Sequence, residues 1–298
     1  MKKTCVWAGL TYGLVLMVFT VYLLLDTFVI TRTYSVAESD YPEEYIAAET
    51  APVSGVGILH EYDDGEIAIT VTAYRGFDSY IYVADIQLSS PSQLKTAFAN
   101  DAYGKNIKEQ PSAMAVRNDA ILAINGDYYG AQEKGYVLRN GVVYRTSRSK
   151  GQEDLVIWRD GTFSIVNEQD VSLQSLLDDG AVQVLSFGPA LVEGGAVSVQ
   201  QSELRGKDKT RNPRTAIAHM GGLRYLFVVA DGRTEVSDGL TILELAEVMD
   251  YLGAETAYNL DGGGSSCMVF GGDIVNNPTT TGDSSREREV SDIVYIGR

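Results

Sequence analysis

The hydrophobic pattern splits the chain into two unlike parts. From Cys5 to Leu25 no charged residue interrupts an apolar run of 21 positions, which ends at Asp26 and resumes at Thr27 to Ile30. A helix of that length crosses the ~30 Å hydrocarbon core of a bilayer, and it exceeds the ~7 to 15 residue core of a cleaved signal. Lys2 and Lys3 ahead of it predict a cytoplasmic N-terminus, with Arg32 a weaker opposing signal. The expectation is therefore a transmembrane signal anchor over residues 1–34, at the cell membrane, with the remainder outside the cell. Ser35-Val36-Ala37 offers a small-residue cleavage site as the alternative. Residues 35–56 are acidic and lack periodicity, and read as a stalk.

From residue 57 onward the pattern changes to short segments of strand period. Glu66 to Thr72 alternates, with Ile67, Ile69 and Val71 on one face, and Tyr80 to Leu88 reads as its neighbour. Asn140-Gly141 and Asp160-Gly161 each sit between two apolar segments and predict hairpins, because such pairs tolerate positive φ. Gly194-Gly195 and Gly221-Gly222 mark two more. Ala120 to Asn125, Ala181 to Phe187, Thr256 to Leu260, Cys267 to Phe270 and Asp292 to Ile296 complete the strands. Helices are expected at Ser92 to Asn100, Pro111 to Asn118 and Thr241 to Leu252. The last has Thr241 and Glu244 at capping-box spacing, an apolar stripe of Ile242, Leu245, Ala246 and Met249, and Gly253 to close it. The fold class is α+β: a single domain over residues 57–298, on a largely antiparallel or mixed β-sheet with a few helices.

Charge narrows the partners. Against 24 basic residues stand 40 acidic ones, a formal charge of −16, so nucleic acid is not expected as a ligand. Any phosphate must be held by a few local donors. Two histidines and two cysteines leave no basis for a His-rich zinc site or a disulfide framework. Cys5 and Cys267 are expected on opposite sides of the membrane. His219 lies within a strand and reads as structural.

Three apolar strands end in the same way, handing off to Asp beside Gly: Asn125-Gly126-Asp127, Ala230-Asp231-Gly232 and Leu260-Asp261-Gly262-Gly263-Gly264-Ser265. Asp-Gly also makes ordinary turns, but a buried strand that delivers a carboxylate to a glycine-rich bend can place it against a ligand. The triple glycine offers backbone N–H groups to a phosphate or oxyanion. It is neither a Walker loop nor a dinucleotide fingerprint, since no Lys follows and G-x-G-x-x-G is absent. If Gly221-Gly222 forms a two-residue turn, Arg214 faces Val229 and lies diagonally from Asp231 on the same sheet face, with Arg233 beyond it. The guanidinium is well matched to phosphate; an ordinary cross-strand ion pair is the alternative. Asn125 and Tyr128 suit sugar hydroxyls and ring faces.

Ala123-Ile124-Asn125-Gly126-Asp127-Tyr128-Tyr129, Asn212-Pro213-Arg214-Thr215-Ala216, Val229-Ala230-Asp231-Gly232-Arg233 and Asn259-Leu260-Asp261-Gly262-Gly263-Gly264-Ser265-Ser266 occur in this order. Together they resemble the phosphodiester glycosidase family, over about residues 60–298, and most closely its membrane-anchored bacterial members of the exopolysaccharide biosynthesis type. The resemblance implies hydrolysis between an anomeric carbon and a phosphodiester oxygen, for example in N-acetylglucosamine-1-phosphodiesters of cell-surface glycopolymers. It makes Asp127, Arg214, Asp231 and Asp261 the candidate catalytic residues, and Asn125, Tyr128, Arg233, Gly262, Gly263, Gly264 and Ser265 the candidate substrate-binding residues. Which aspartate is nucleophile and which base stays open. So does a divalent cation, Ca²⁺ or Mg²⁺, on the carboxylates, although no EF-hand spacing is present. Two other readings remain: a non-catalytic glycopolymer-binding or assembly factor, and a metal-dependent phosphodiesterase that cuts P–O instead of C–O.

Overall fold

A computed structural model describes residues 52–298, except 203, together with residues 17, 18 and 20, which are helical. Apart from those three positions, the expected membrane-crossing run lies outside the described residues, as does most of the expected stalk. Among the described residues no helix is long and apolar enough to cross a membrane. The folded unit begins ahead of residue 57: Val53 is buried, and a strand starts at Ser54.

An eight-stranded antiparallel sheet forms the centre. It contains β1 (Ser54–Asp63), β2 (Ile67–Gly76), β3 (Ser79–Leu88), β14 (Arg224–Ala230), β13 (Arg214–His219), β15 (Thr256–Asn259), β11 (Ala190–Glu193) and β12 (Ala196–Val197), in that spatial order. A five-stranded sheet is built from β7 (Val142–Arg145), β6 (Val137–Arg139), β10 (Ala181–Leu185), β8 (Glu153–Trp158) and β9 (Phe163–Asn167). Another joins β17 (Asp273–Ile274), β16 (Met268–Phe270), β5 (Leu122–Asn125), β18 (Asp292–Ile296) and β4 (Leu94–Phe98). The alternation in β2 does what its period demands. Ile67, Ile69 and Val71 enter the main core, where they meet Leu122 and Ile124 of β5, Leu155 and Ile157 of β8, and Val294 of β18. That core lies between the large sheet and the two smaller ones.

Helices cover the outer faces. α3 (Ile242–Tyr251) has the predicted capping box at Thr241 and Glu244 and buries Ile242, Leu245 and Met249 on the far face of the large sheet, against Ala216 and Val228. α1 (Pro111–Arg117) packs Met114 against Ala123 and Val269. α2 (Leu173–Asp178) packs Leu173 and Leu176 against Leu138 and Val184.

Two expectations are corrected. Ser92 to Asn100 is not a helix: a single 3-10 turn at Pro91–Gln93 gives way to β4. β4 pairs with β18 from Leu94↔Ile296 to Phe98↔Asp292, so ladder hydrogen bonds from a distant strand override the local signal of Pro91. The β13–β14 register is the second. Opposed residues are Arg214↔Ala230 and Thr215↔Val229, because Met220 to Leu223 form the connection and Met220 N still bonds Arg224 O at 2.9 Å. A one-residue slip inverts which face each side chain occupies. Arg214 therefore shares a face with Ala230, toward α3, and Asp231 does not face it.

Candidate functional site

The start of β13 and the ends of β14 and β15 fall at one end of the large sheet, where the chain enters β13 at Arg214 and leaves β14 and β15 toward Asp231 and Asp261. β5 of a smaller sheet ends beside them. Asn125, with no exposed surface, ties the ends together: its amide nitrogen donates to Asp261 O at 2.6 Å, and its oxygen accepts from Thr215 Oγ1 at 2.8 Å and Cys267 N at 3.2 Å. Asp261 N in turn donates to Gly126 O at 3.2 Å. The sugar contact expected at Asn125 is thus a buried clamp.

The pocket at this end holds about 350 Å³. Tyr128, Arg214, Arg233, Asp261, Gly262, Gly263 and Gly264 line it, joined by Phe187, Asn259 and Arg288. Asp127, Asp231 and Ser265 do not. Asp127 is wholly buried. Its Oδ2 lies 2.8 Å from Arg139 Nη2 and accepts from Ser186 N at 2.7 Å, and its Oδ1 accepts from Tyr129 N at 3.1 Å. That turn places Tyr128 in the left-handed region at φ 66° and aims its ring at the pocket. Asp231 is also saturated: Tyr82 Oη donates to Oδ2 at 3.1 Å, and Asn276 Nδ2 and Asn277 N donate to Oδ1 at 3.0 and 2.9 Å. Its carboxylate moors residues 276 and 277. Ser265 is buried as well.

Asp261 differs from both. Its Oδ1 accepts from Gly262 N at 2.9 Å, and its Oδ2 has no hydrogen-bond partner among the described residues. Burial pushes its carboxyl above the usual carboxylate range; the neighbouring Ser265 hydroxyl, the Arg288 charge and the Gly262 N–H act against it, and the Asp127 charge acts with it. Asp261 lines the cavity, its Oδ2 is closed off from solvent without a partner among the described residues, and a desolvated carboxylate of this kind is disposed to react.

Cationic groups line the same pocket. Arg214 is 7% exposed and donates to three backbone oxygens, Leu240, Lys207 and Thr210, at 2.8, 2.8 and 3.0 Å. Burial pulls its guanidinium down to about 10; the Asp208 charge opposes this and the nearby charge of Arg233 adds to it. Arg233 donates to Thr280 O at 2.7 Å and Asn212 Oδ1 at 2.9 Å. Among the described residues neither arginine has an ion pair within 4.0 Å; Asp208, which also lines the pocket, acts on Arg214 as an opposing charge at longer range.

The glycines act by absence of bulk more than as bare donors. Gly262 N and Gly263 N are already engaged, with Asp261 Oδ1 and with Pro213 O at 2.8 Å. Gly263 has φ 62°, and a Cβ there would lie 2.9 Å from Arg233 Nη2. At Gly262 a Cβ would lie 2.9 Å from Pro213 O. The loop must be small for Arg233 and β13 to close on it.

Phe187, Asn259 and Arg288 are not foreseen from the sequence. Asn259 is the residue before Leu260-Asp261, with one amide oxygen buried and unpartnered among the described residues. Arg288 lies in Arg286-Glu287-Arg288-Glu289, a basic-acidic run without periodicity, and its guanidinium sits 5.9 Å from the Tyr128 ring centre. Phe187 has no distinguishing signal. Among the described residues no three His, Cys, Asp or Glu side chains gather where they could hold a metal ion.

The phosphodiester glycosidase family model matches residues 118–297. Among curated proteins the chain is 27% identical over 180 residues to the SPbeta prophage-derived uncharacterized protein YomE of Bacillus subtilis, covering 59% of this chain and 28% of that one. It is 29% identical over 199 residues to the human N-acetylglucosamine-1-phosphodiester alpha-N-acetylglucosaminidase, covering 60% of this chain and 38% of the human protein. The chain thus spans well under half the length of these relatives. Among solved structures, the zebrafish catalytic domain of that enzyme, auto-inhibited by its pro-peptide, aligns with a TM-score of 0.62 at 20% identity over 83% of this chain and 87% of that one. A hypothetical protein from Synechocystis aligns at 0.56 and 13% identity, over 78% and 62%. Both likenesses concern the fold.

Proposed function

As this chain belongs to the phosphodiester glycosidase family, we propose that it hydrolyses the bond between an anomeric sugar carbon and a phosphodiester oxygen. The observation that carries this reading is Asp261: a mostly buried carboxylate with one free oxygen, in a pocket that also presents Arg214, Arg233 and Arg288. The arginines receive the diester's negative charge, which brings C1 of the sugar to Asp261. Tyr128 and Phe187 offer ring faces to the sugar and Asn259 an amide to its hydroxyls.

The chemistry follows from the leaving group. A phosphate monoester departs as a weak base, so no proton need be delivered to it. The C1–O bond breaks with its electron pair going to the phosphate oxygen, and positive charge develops on the sugar. Asp261, ionised, stabilises or captures that cation. Water supplies OH to C1 and a proton to solvent, leaving free sugar and a phosphate monoester. Asp127 and Asp231 support the pocket from below. The activity for which the human relative is named supports N-acetylglucosamine as the sugar. The apolar run at Cys5 to Leu25 supports an anchored domain that works on glycopolymers outside the membrane.

The test is incubation of the full chain with an N-acetylglucosamine-1-phosphodiester in ¹⁸O water. Label in the released sugar is the expected outcome. Label in phosphate overturns C–O cleavage in favour of a phosphodiesterase, and binding without turnover favours a glycopolymer-binding factor.

A further inference from the structure

A second hollow, of about 490 Å³, adjoins the pocket. Arg288 lines both, and Thr280, in the wall of the second, accepts the Arg233 hydrogen bond from the first. The second hollow is polar and presents Lys108 and Arg286 beside Arg288. None of these three makes an ion pair within 4.0 Å among the described residues. Of its two carboxylates, Glu287 is turned onto Ser112, accepting from its N–H at 3.1 Å and from its hydroxyl, and Glu289 is exposed. The chain carries a formal charge of −16, so uncommitted cations in adjoining hollows are not a sample of its average surface.

The geometry points to a second phosphate site. On top of the proposed hydrolysis, we infer that the substrate is a polymer whose repeat units are joined by phosphodiesters. The direction is set by the walls. Asn259 Nδ2 donates to Gly188 O at 2.6 Å, so Asn259 and Phe187 stand together near Asp261 on the sugar side; Arg233 donates to Thr280 O, and Arg288, against the Tyr128 ring, opens onto both hollows. The sugar thus occupies the first hollow, the scissile phosphate lies by Arg233 and Arg288, and the leaving chain runs on so that its next phosphodiester meets Lys108 and Arg286. The Coulomb gain from such exposed contacts is modest singly and strongly salt-dependent, so the site favours a polyanion over a single phosphate.

The experiment compares two substrates on the full chain: a sugar-1-phosphodiester with a methyl aglycone, and one whose aglycone bears a further phosphodiester unit. Roughly tenfold higher kcat/KM for the longer substrate is expected, about the factor that 1.4 kcal/mol supplies, through KM and lost at high salt. In Lys108→Ala/Arg286→Ala the advantage disappears and turnover of the methyl diester stays as it was. Equal loss on both substrates, or no preference in the wild type, overturns the second site. Fluorescence anisotropy of a labelled oligomer, wild type against the double variant, decides the same question without catalysis: equal affinity for the two proteins overturns the site. If hydrolysis fails but this binding difference holds, only the enzymatic reading is lost.

Discussion

Arg139 and Asp127 form an ion pair at 2.8 Å in which both side chains are shut away from solvent. The same Arg139 nitrogen lies 2.9 Å from Asp292 Oδ2. One guanidinium therefore serves two buried carboxylates from two sheet-terminal segments, directly beneath the turn that presents Tyr128. Gly126 fits there because a Cβ would strike the Asp292 carboxylate.

Removal of Arg139 strands two buried charges. Breaking a buried pair typically costs about 3–5 kcal/mol. Arg139→Ala is expected to lower unfolding free energy by roughly that amount in urea titration, and Arg139→Met to do little better, because the carboxylates stay. A loss under about 1 kcal/mol would refute this account.

Stability should fall as pH rises. Burial, with the Asp127 charge adding to it and Arg139 opposing, pushes Asp292 up to about 7. Burial and the neighbouring Glu168 push Asp154 up to about 9. Both folded values exceed the ordinary carboxylate value, so between about pH 4 and 9 the native state binds more protons than the unfolded state. Stability then decreases with pH, through about 7 for Asp292 and about 9 for Asp154. The melting temperature is expected to decline from pH 5 to pH 9. Asp154→Asn, which stays neutral, should flatten the upper part of that decline; an unchanged slope counts against the assignment.

Asp261 and Asp231 look alike in sequence and should separate in measurement. Asp261→Asn removes a carboxylate whose Oδ2 has no partner among the described residues. It is expected to reduce kcat by about 10²- to 10⁴-fold with little change in stability. Asp231→Asn disrupts acceptors for Tyr82, Asn276 and Asn277, and should destabilise by about 1–3 kcal/mol. Denaturation and turnover of both variants decide it, and the reverse pattern would move the chemistry to Asp231.

Strands are more legible in this sequence than registers. Period-2 runs and Asn-Gly or Asp-Gly pairs are local, so the hairpins at Asn140-Gly141 and Asp160-Gly161 can be read directly. The Gly221-Gly222 connection is readable as a turn but not as a four-residue one, and that single residue separates Arg214 from Asp231 across the sheet. β1, exposed along most of its length, has no core face to betray it. At the site, the Asp-Gly exits mark the right end of the sheet. They cannot tell a carboxylate facing the cavity, Asp261, from two saturated by Arg139 and by Asn276, because those partners come from 12 and 45 residues away. Arg288 is hidden for the same reason: it reaches Tyr128 from a segment with no strand or helix pattern.

Arg288 offers the sharpest test of what Asp261 does. Its positive charge lowers the Asp261 carboxyl, against the burial that raises it. Arg288→Ala should leave burial in place and remove the opposing effect, so the Asp261 pKa rises. If Asp261 works ionised, activity grows as pH rises through that pKa, and the acidic limb of kcat must move to higher pH in the variant. KM for the phosphodiester should rise together with it, since the same guanidinium lines the cavity that receives the anion. Arg288→Lys keeps the charge and should hold the limb near its original place while recovering little of KM, because Lys lacks the planar fork. A descending limb that moves instead would mean that Asp261 acts in its protonated form, and a limb that does not move would remove Asp261 from the titration altogether.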